Sequence, residues 1–170
     1  MTMNPIQRSK VVKLVIGGDG GVGKTTLIHR YIDGEYLEGK ITIGTDFRVK
    51  ELMNGHEKRV LLQIWDLGGQ ERFRFIQPDY CRGADCGFLC FAMDDKKSFN
   101  NLAEWHSMFV TNAPQIKVLL IGTKCDLDSL ISPAEIQNYI NEKNLVGFFE
   151  TSSKNNTGIQ NAFEKILDIL

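Results

Sequence analysis

The chain has 170 residues, 42% of them hydrophobic, with 20 basic against 21 acidic side chains and a net charge of −1. That length suits one domain with a sizeable core, and the balanced charge excludes bulk electrostatic attraction to nucleic acid or to an acidic membrane. No apolar run reaches the roughly 18 residues of a membrane-spanning helix, and "MTMNPIQRSK" lacks a signal-peptide core, so a cytoplasmic protein is expected.

Residues 1–9 read as a flexible N-terminal segment and 10–170 as a single domain. The first strand is the β-branched run Val11–Gly17, followed directly by "GDGGVGKTT", Gly18 to Thr26. Glycine lets a backbone turn its N–H groups inward and lets an anion approach closely, which makes a nest. The order Gly18, four residues, Gly23, Lys24, Thr25 matches the G-x-x-x-x-G-K-[ST] phosphate loop. The amphipathic helix Thr25–Asp33 adds the free N–H groups and positive dipole end of its N-terminus. In that pattern Gly20, Gly21, Val22 and Gly23 cradle phosphate with Thr26 at the helix start. Lys24 reaches the β- and γ-phosphates and the Thr25 hydroxyl ligates Mg²⁺.

Strands Asp46–Met53 and Arg59–Asp66 follow, joined by "MNGHE", whose Asn54-Gly55 pair predicts a hairpin turn. A weak helical pattern covers Glu71–Asp79, then come strand Cys86–Met93, helix Ser98–Asn112 and strand Ile116–Gly122. Ser132 as N-cap and Pro133 at the first helical position open helix Pro133–Lys143. Strand Gly147–Glu150 and helix Ile159–Leu170 complete the chain. Six strands alternating with about five helices predict an α/β fold: a mostly parallel sheet, covered on both faces, with one antiparallel edge strand. Ligands then bind at the carboxyl ends of the strands. Cys81, Cys86, Cys90 and Cys125 form no C-x-x-C pair, and free thiols are expected in preference to a zinc site on the shared face of Cys86 and Cys90.

The base of the nucleotide is legible in "IGTKCDL", which presents Thr123, Lys124 and Asp126 at a strand end. A carboxylate there accepts from the N1–H and amine of guanine, whereas adenine would leave it unpaired, at about 1.5–3 kcal/mol per lost charge-assisted bond. Lys124 would lay its stem along the base. "ETSSK" places Ser152, Ser153 and Lys154 after the last strand, with the Ser153 N–H available to guanine O6.

Together these motifs resemble the Ras superfamily of small GTPases, with its P-loop NTPase G domain, from about Lys10 to Leu170. Within it the chain is most similar to the Rab family, through "TIGTDF", "IWDLGGQERFRFI", "YCRGAD" and "SFNNL". The resemblance implies that Thr42 ligates Mg²⁺ and senses the γ-phosphate, and that Asp66 holds the metal through water. It also implies that the Gly69 N–H meets the γ-phosphate, that Gln70 orients the attacking water and that Tyr36 lies against the guanine edge. Phe47, Trp65 and Tyr80 match the aromatic triad that Rab proteins offer to partners. It implies a GTP/GDP switch with Mg²⁺ as cofactor, acting as a monomer in signalling or membrane traffic. An exchange factor, a GTPase-activating protein and effectors are the implied partners. The alternative is a GTP-binding interaction module with little turnover; an ATP-dependent kinase conflicts with Asp126.

The chain also departs from the Rab pattern. Thr123 stands where most members have asparagine, and Leu67-Gly68 gives a "GGQ" as in Arf and Gα proteins. The first switch segment, Thr25 to Thr42, is one residue short and carries Lys40 near the usual position of an aromatic. No basic tail, terminal cysteine or Met-Gly start appears, so this sequence offers no direct membrane anchor, and membrane association is expected through partners or a missing tail.

Overall fold

The structure is a computed structural model that describes residues 9–53 and 58–170. Residues 1–8 of the expected N-terminal segment, and the Asn54-Gly55 turn, lie outside the described residues.

Six strands form one sheet: β1 (Lys10–Gly17), β2 (Thr45–Met53), β3 (Arg59–Leu67), β4 (Cys86–Ala92), β5 (Lys117–Thr123) and β6 (Phe148–Glu150). Their order across the sheet is β2-β3-β1-β4-β5-β6. All pairings are parallel except β2 with β3, where Phe47 faces Trp65 and Met53 faces Arg59 across the antiparallel ladder. The hairpin expected from sequence is therefore paired along both arms, and β2 is the antiparallel edge.

The period of two along each strand divides the core. On β1 and β4, Val12, Leu14, Ile16, Phe88 and Cys90 pack on one face with Leu27, Ile28, Phe163 and Ile166 from α1 (Lys24–Asp33) and α6 (Ile159–Asp168). On the other face Val15, Leu89 and Phe91 pack with Phe99, Trp105, Phe109 and Ile136. These come from α3 (Lys96–Asn100), α4 (Leu102–Asn112) and α5 (Pro133–Lys143). Every residue of β4 is buried, as a strand covered on both faces requires, whereas edge strand β2 has none buried. The four cysteines are free thiols, and burial pushes Cys90 up to about 12, far from thiolate chemistry.

Two helical expectations are corrected. The predicted helix Ser98–Asn112 starts two residues earlier and is broken. Asp95 caps α3 by accepting from the N–H groups of Lys97 and Ser98, and Asn101 separates α3 from α4 while its side chain reaches to Asp19. The pattern over Glu71–Asp79 resolves into a single 3₁₀ turn at Glu71–Phe73 and a short α2 (Gln77–Cys81) with Pro78 in its first turn. Ser132 and Glu135 form the capping box of α5. Among the described residues no helix is long and apolar enough to cross a membrane.

Candidate nucleotide-binding site

The loops after β1, β3 and β5 open at one end of the sheet around a cavity of about 650 Å³. Its walls contain the phosphate-loop residues Gly20 to Thr26, then Tyr36, Lys40 and Thr42, then Gly69 and Gln70. Thr123, Lys124, Asp126, Ser153 and Lys154 close the far end. Motifs spread over more than a hundred residues of sequence thus share one surface. Ser152 and Asp66 stand behind the wall, each buried.

At the phosphate end, Lys24 is 5% exposed, and its Nζ donates to the Gly18 carbonyl at 2.7 Å and the Asp19 carbonyl at 2.9 Å. Burial lowers its pKa and the nearby Asp66 carboxylate opposes that shift. Beside it, three oxygens converge. The Thr25 hydroxyl donates to Asp66 Oδ2 at 2.5 Å, the Thr42 hydroxyl lies 3.0 Å from the same oxygen, and the two hydroxyls touch. Asp66 Oδ1 is buried without a hydrogen-bond partner. Burial raises the pKa of Asp66, and the Thr25 and Lys24 contacts hold it down. Two hydroxyls converging on a carboxylate whose other oxygen is unpartnered are the donor chemistry of Mg²⁺. Among the described residues no cluster of three or more His, Cys, Asp or Glu side chains could hold a metal.

At the base end, the Ser152 hydroxyl donates to Asp126 Oδ1 at 2.6 Å and accepts from the Asn155 N–H at 3.1 Å, so the carboxylate is pinned from behind. Thr123 is buried, with its hydroxyl 2.5 Å from the Val22 carbonyl and 3.0 Å from that of Phe91. The threonine in place of asparagine therefore still ties the base loop to the phosphate loop. Tyr36 is exposed at the rim.

After β3 the chain presses on the phosphate loop. A Cβ on Gly69 would lie 2.0 Å from the Gly20 nitrogen, so only glycine permits this approach. The Gln70 carbonyl oxygen Oε1 accepts from Arg72 Nε at 2.8 Å. Outside the cavity, Phe47 and Trp65 have ring centroids 4.6 Å apart and Trp65 and Tyr80 5.4 Å apart. The three rings touch, with Phe47 exposed and the other two half-buried.

Sequence reasoning missed two residues here. Asp19, an unspecified position of the loop motif, accepts from Asn101 Nδ2 at 2.5 Å and Trp105 Nε1 at 3.0 Å, with Arg74 Nη2 at 3.5 Å. Gln77 is fully buried and donates to the Gly68 carbonyl. No spacing rule exposes either, because their partners are distant in sequence or are backbone atoms.

A model of the Ras family matches residues 13–170. The Ras-related protein Rab-3C of Bos taurus is 38% identical over 161 residues, spanning 93% of this chain and 70% of the relative. The Ras-related protein Rab-3B of Homo sapiens is 38% identical over 161 residues, spanning 93% of this chain and 73% of its own length. Rab-9A of Rattus norvegicus is 37% identical over 166 residues, spanning 93% and 82%. The chain belongs to the Ras family: it is a small GTPase, most similar within that family to the Rab proteins.

Proposed function

We propose that this GTPase is a Mg²⁺-dependent switch that binds GTP and GDP and hydrolyses GTP to GDP and phosphate through the cavity residues named above. The observation that carries the reading is the continuity of one cavity from the Lys24 and Thr25 end to the Asp126 end. Phosphate binds along Gly20–Gly23, with Lys24 exchanging its two carbonyl contacts for phosphate oxygens. Thr25, Thr42 and, through water, Asp66 would hold Mg²⁺, which would supply charge neutralisation of the phosphates. The Gly69 N–H meets the γ-phosphate, and Gln70, released from Arg72, orients the water that attacks it. Water oxygen bonds to the γ-phosphorus as the bond to the β–γ bridging oxygen breaks, GDP leaves with that electron pair, and the proton the water sheds passes to a phosphate oxygen. Asp126, Lys124 and Ser153 select guanine, Lys154 and Thr26 flank the nucleotide, and Ser152 sets Asp126.

The γ-phosphate contacts of Thr42 and Gly69 order the loops around Tyr36–Gly44 and Leu67–Asp79, and their loss on hydrolysis releases them. Phe47, Trp65 and Tyr80 then offer a rigid aromatic anchor to effectors, in traffic or signalling at membranes reached through partners. An exchange factor and a GTPase-activating protein set the rates. Residues 10–170 act as one domain. The test is incubation of the purified protein with GTP and Mg²⁺, following phosphate and GDP, with ATP as comparison. Stoichiometric GTP binding with turnover supports the reading, binding without turnover supports the interaction module, and equal use of ATP overturns the base assignment.

A further inference from the structure

Gln77 is a polar side chain with no exposed surface. Its Nε2 lies 2.5 Å from the Gly68 carbonyl oxygen. A carbonyl only accepts, so the donor end of the amide must face it, and Oε1 is left buried without a partner. The Gly68 N–H in turn donates at 2.7 Å to the Gly44 carbonyl, at the end of the loop that bears Thr42. Both polar groups of residue 68 are therefore held, one by α2 and one by the first switch loop.

The Gly68 carbonyl shares its peptide plane with the Gly69 N–H. The described peptides are trans, and in a trans peptide these two groups point in opposite directions. Space around the plane is tight: a Cβ on Gly68 would stand 2.6 Å from the Gly44 oxygen, and one on Gly69 2.0 Å from the Gly20 nitrogen. Neither residue has room for a side chain, so the plane is closely packed along its length. The Gln77 bond to the carbonyl opposes rotation of the plane about its long axis. With the carbonyl drawn toward α2, the Gly69 N–H faces away from α2, on the side where Gly69 lines the cavity.

We propose that Gln77 is a positioning residue for γ-phosphate recognition: its amide fixes the Gly68–Gly69 peptide so that the Gly69 N–H is aimed before nucleotide arrives. This rests on the functional reading given above, in which that N–H meets the γ-phosphate. GDP has no such group, so Gln77 discriminates GTP from GDP and contributes nothing to the affinity they share. A preset donor also spares the nucleotide the cost of ordering the peptide.

The test compares Gln77→Met, of similar length without a donor, and Gln77→Glu, the same shape with an acceptor in place of the donor. Dissociation constants are measured for GDP and for a non-hydrolysable GTP analogue, together with the thermal midpoint and the single-turnover hydrolysis rate. The expected result is a loss of about tenfold in analogue affinity relative to GDP, with GDP affinity nearly unchanged and hydrolysis slowed. Where Gln77→Glu does not fold, Gln77→Met decides. An unchanged affinity ratio overturns the inference, as does an equal loss for both nucleotides, which is the mark of a merely structural residue. A parent protein that binds neither nucleotide overturns the functional reading and this inference with it.

Discussion

Replacing Asp126 with asparagine changes one atom and reverses the chemistry presented to the base. The Ser152 hydroxyl lies 2.6 Å from Asp126 Oδ1, and Ser152 is itself fixed by the Asn155 N–H at 3.1 Å. In Asp126→Asn the side-chain carbonyl can keep that bond, which turns the new NH₂ toward the cavity. There it meets the N1–H and amine of guanine, donor against donor. Two charge-assisted bonds of about 1.5–3 kcal/mol each are lost, about 3–6 kcal/mol together. That corresponds to GDP binding weaker by between about a hundredfold and ten-thousandfold. Xanthine carries a carbonyl where guanine has its amine, so xanthosine diphosphate should gain what GDP loses. Equilibrium competition against a fluorescent GDP, with parent and variant side by side, measures both changes. A variant that binds GDP within about threefold of the parent, or gains no xanthosine diphosphate affinity, refutes the assignment of Asp126 to the base.

Gln70→Leu should slow single-turnover GTP hydrolysis by about a hundredfold with GTP affinity almost intact, because Gln70 acts on water and not on the bound ground state; equal rates refute its role. Chelation with EDTA should accelerate release of fluorescent GDP, since Thr25 and Asp66 then lose the ion they share with the phosphates; an unchanged off-rate refutes the metal assignment. The bonds from the Lys96 ammonium and the Ser132 N–H bring Glu135 from the ordinary 4.5 down to about 2. Its folded pKa is the lower one, so the capping box stabilises α5 fully above about pH 4.5 and loses that contribution as pH falls toward 2. A carboxyl titration of Glu135 by NMR with a midpoint near 4.5 would refute this.

What could be read from sequence is what is local. Gly18 to Thr25, Thr123 to Asp126 and Glu150 to Lys154 each carry their chemistry within a few residues, and the strand–turn–helix context is just as local. The β2–β3 pairing was expected from the Asn54-Gly55 hairpin signal; the two arms pair as expected, and the turn itself lies outside the described residues. What stayed hidden depends on contacts across the chain. Asp19 meets Asn101 and Trp105, 82 and 86 residues away, and nothing in the phosphate-loop pattern distinguishes its second position. Asn101 read as an interior helix residue because helical periodicity does not register that its amide is engaged elsewhere. Gln77 fell within the weak helical pattern Glu71–Asp79 with nothing to single it out, and only its burial against the Gly68 carbonyl gives it meaning.

The two tryptophans of the chain touch different parts of this machinery, although both pack with the same core cluster. Trp105 donates its indole N–H to Asp19, under the Arg74 guanidinium 5.2 Å from its ring, inside the support of the phosphate loop. Trp65 lies between Phe47 and Tyr80, with the Lys13 ammonium 5.1 Å from its ring, on the outer aromatic face. With no other indole in the sequence, the intrinsic emission of this protein divides into two channels. Under excitation that spares the four tyrosines, a Trp65→Phe protein glows only from beside Asp19 and a Trp105→Phe protein only from between Phe47 and Tyr80. On the proposed reading of the Phe47, Trp65 and Tyr80 cluster as the partner surface, nucleotide arrival and partner arrival are separable optical events, timed against each other without attaching a dye.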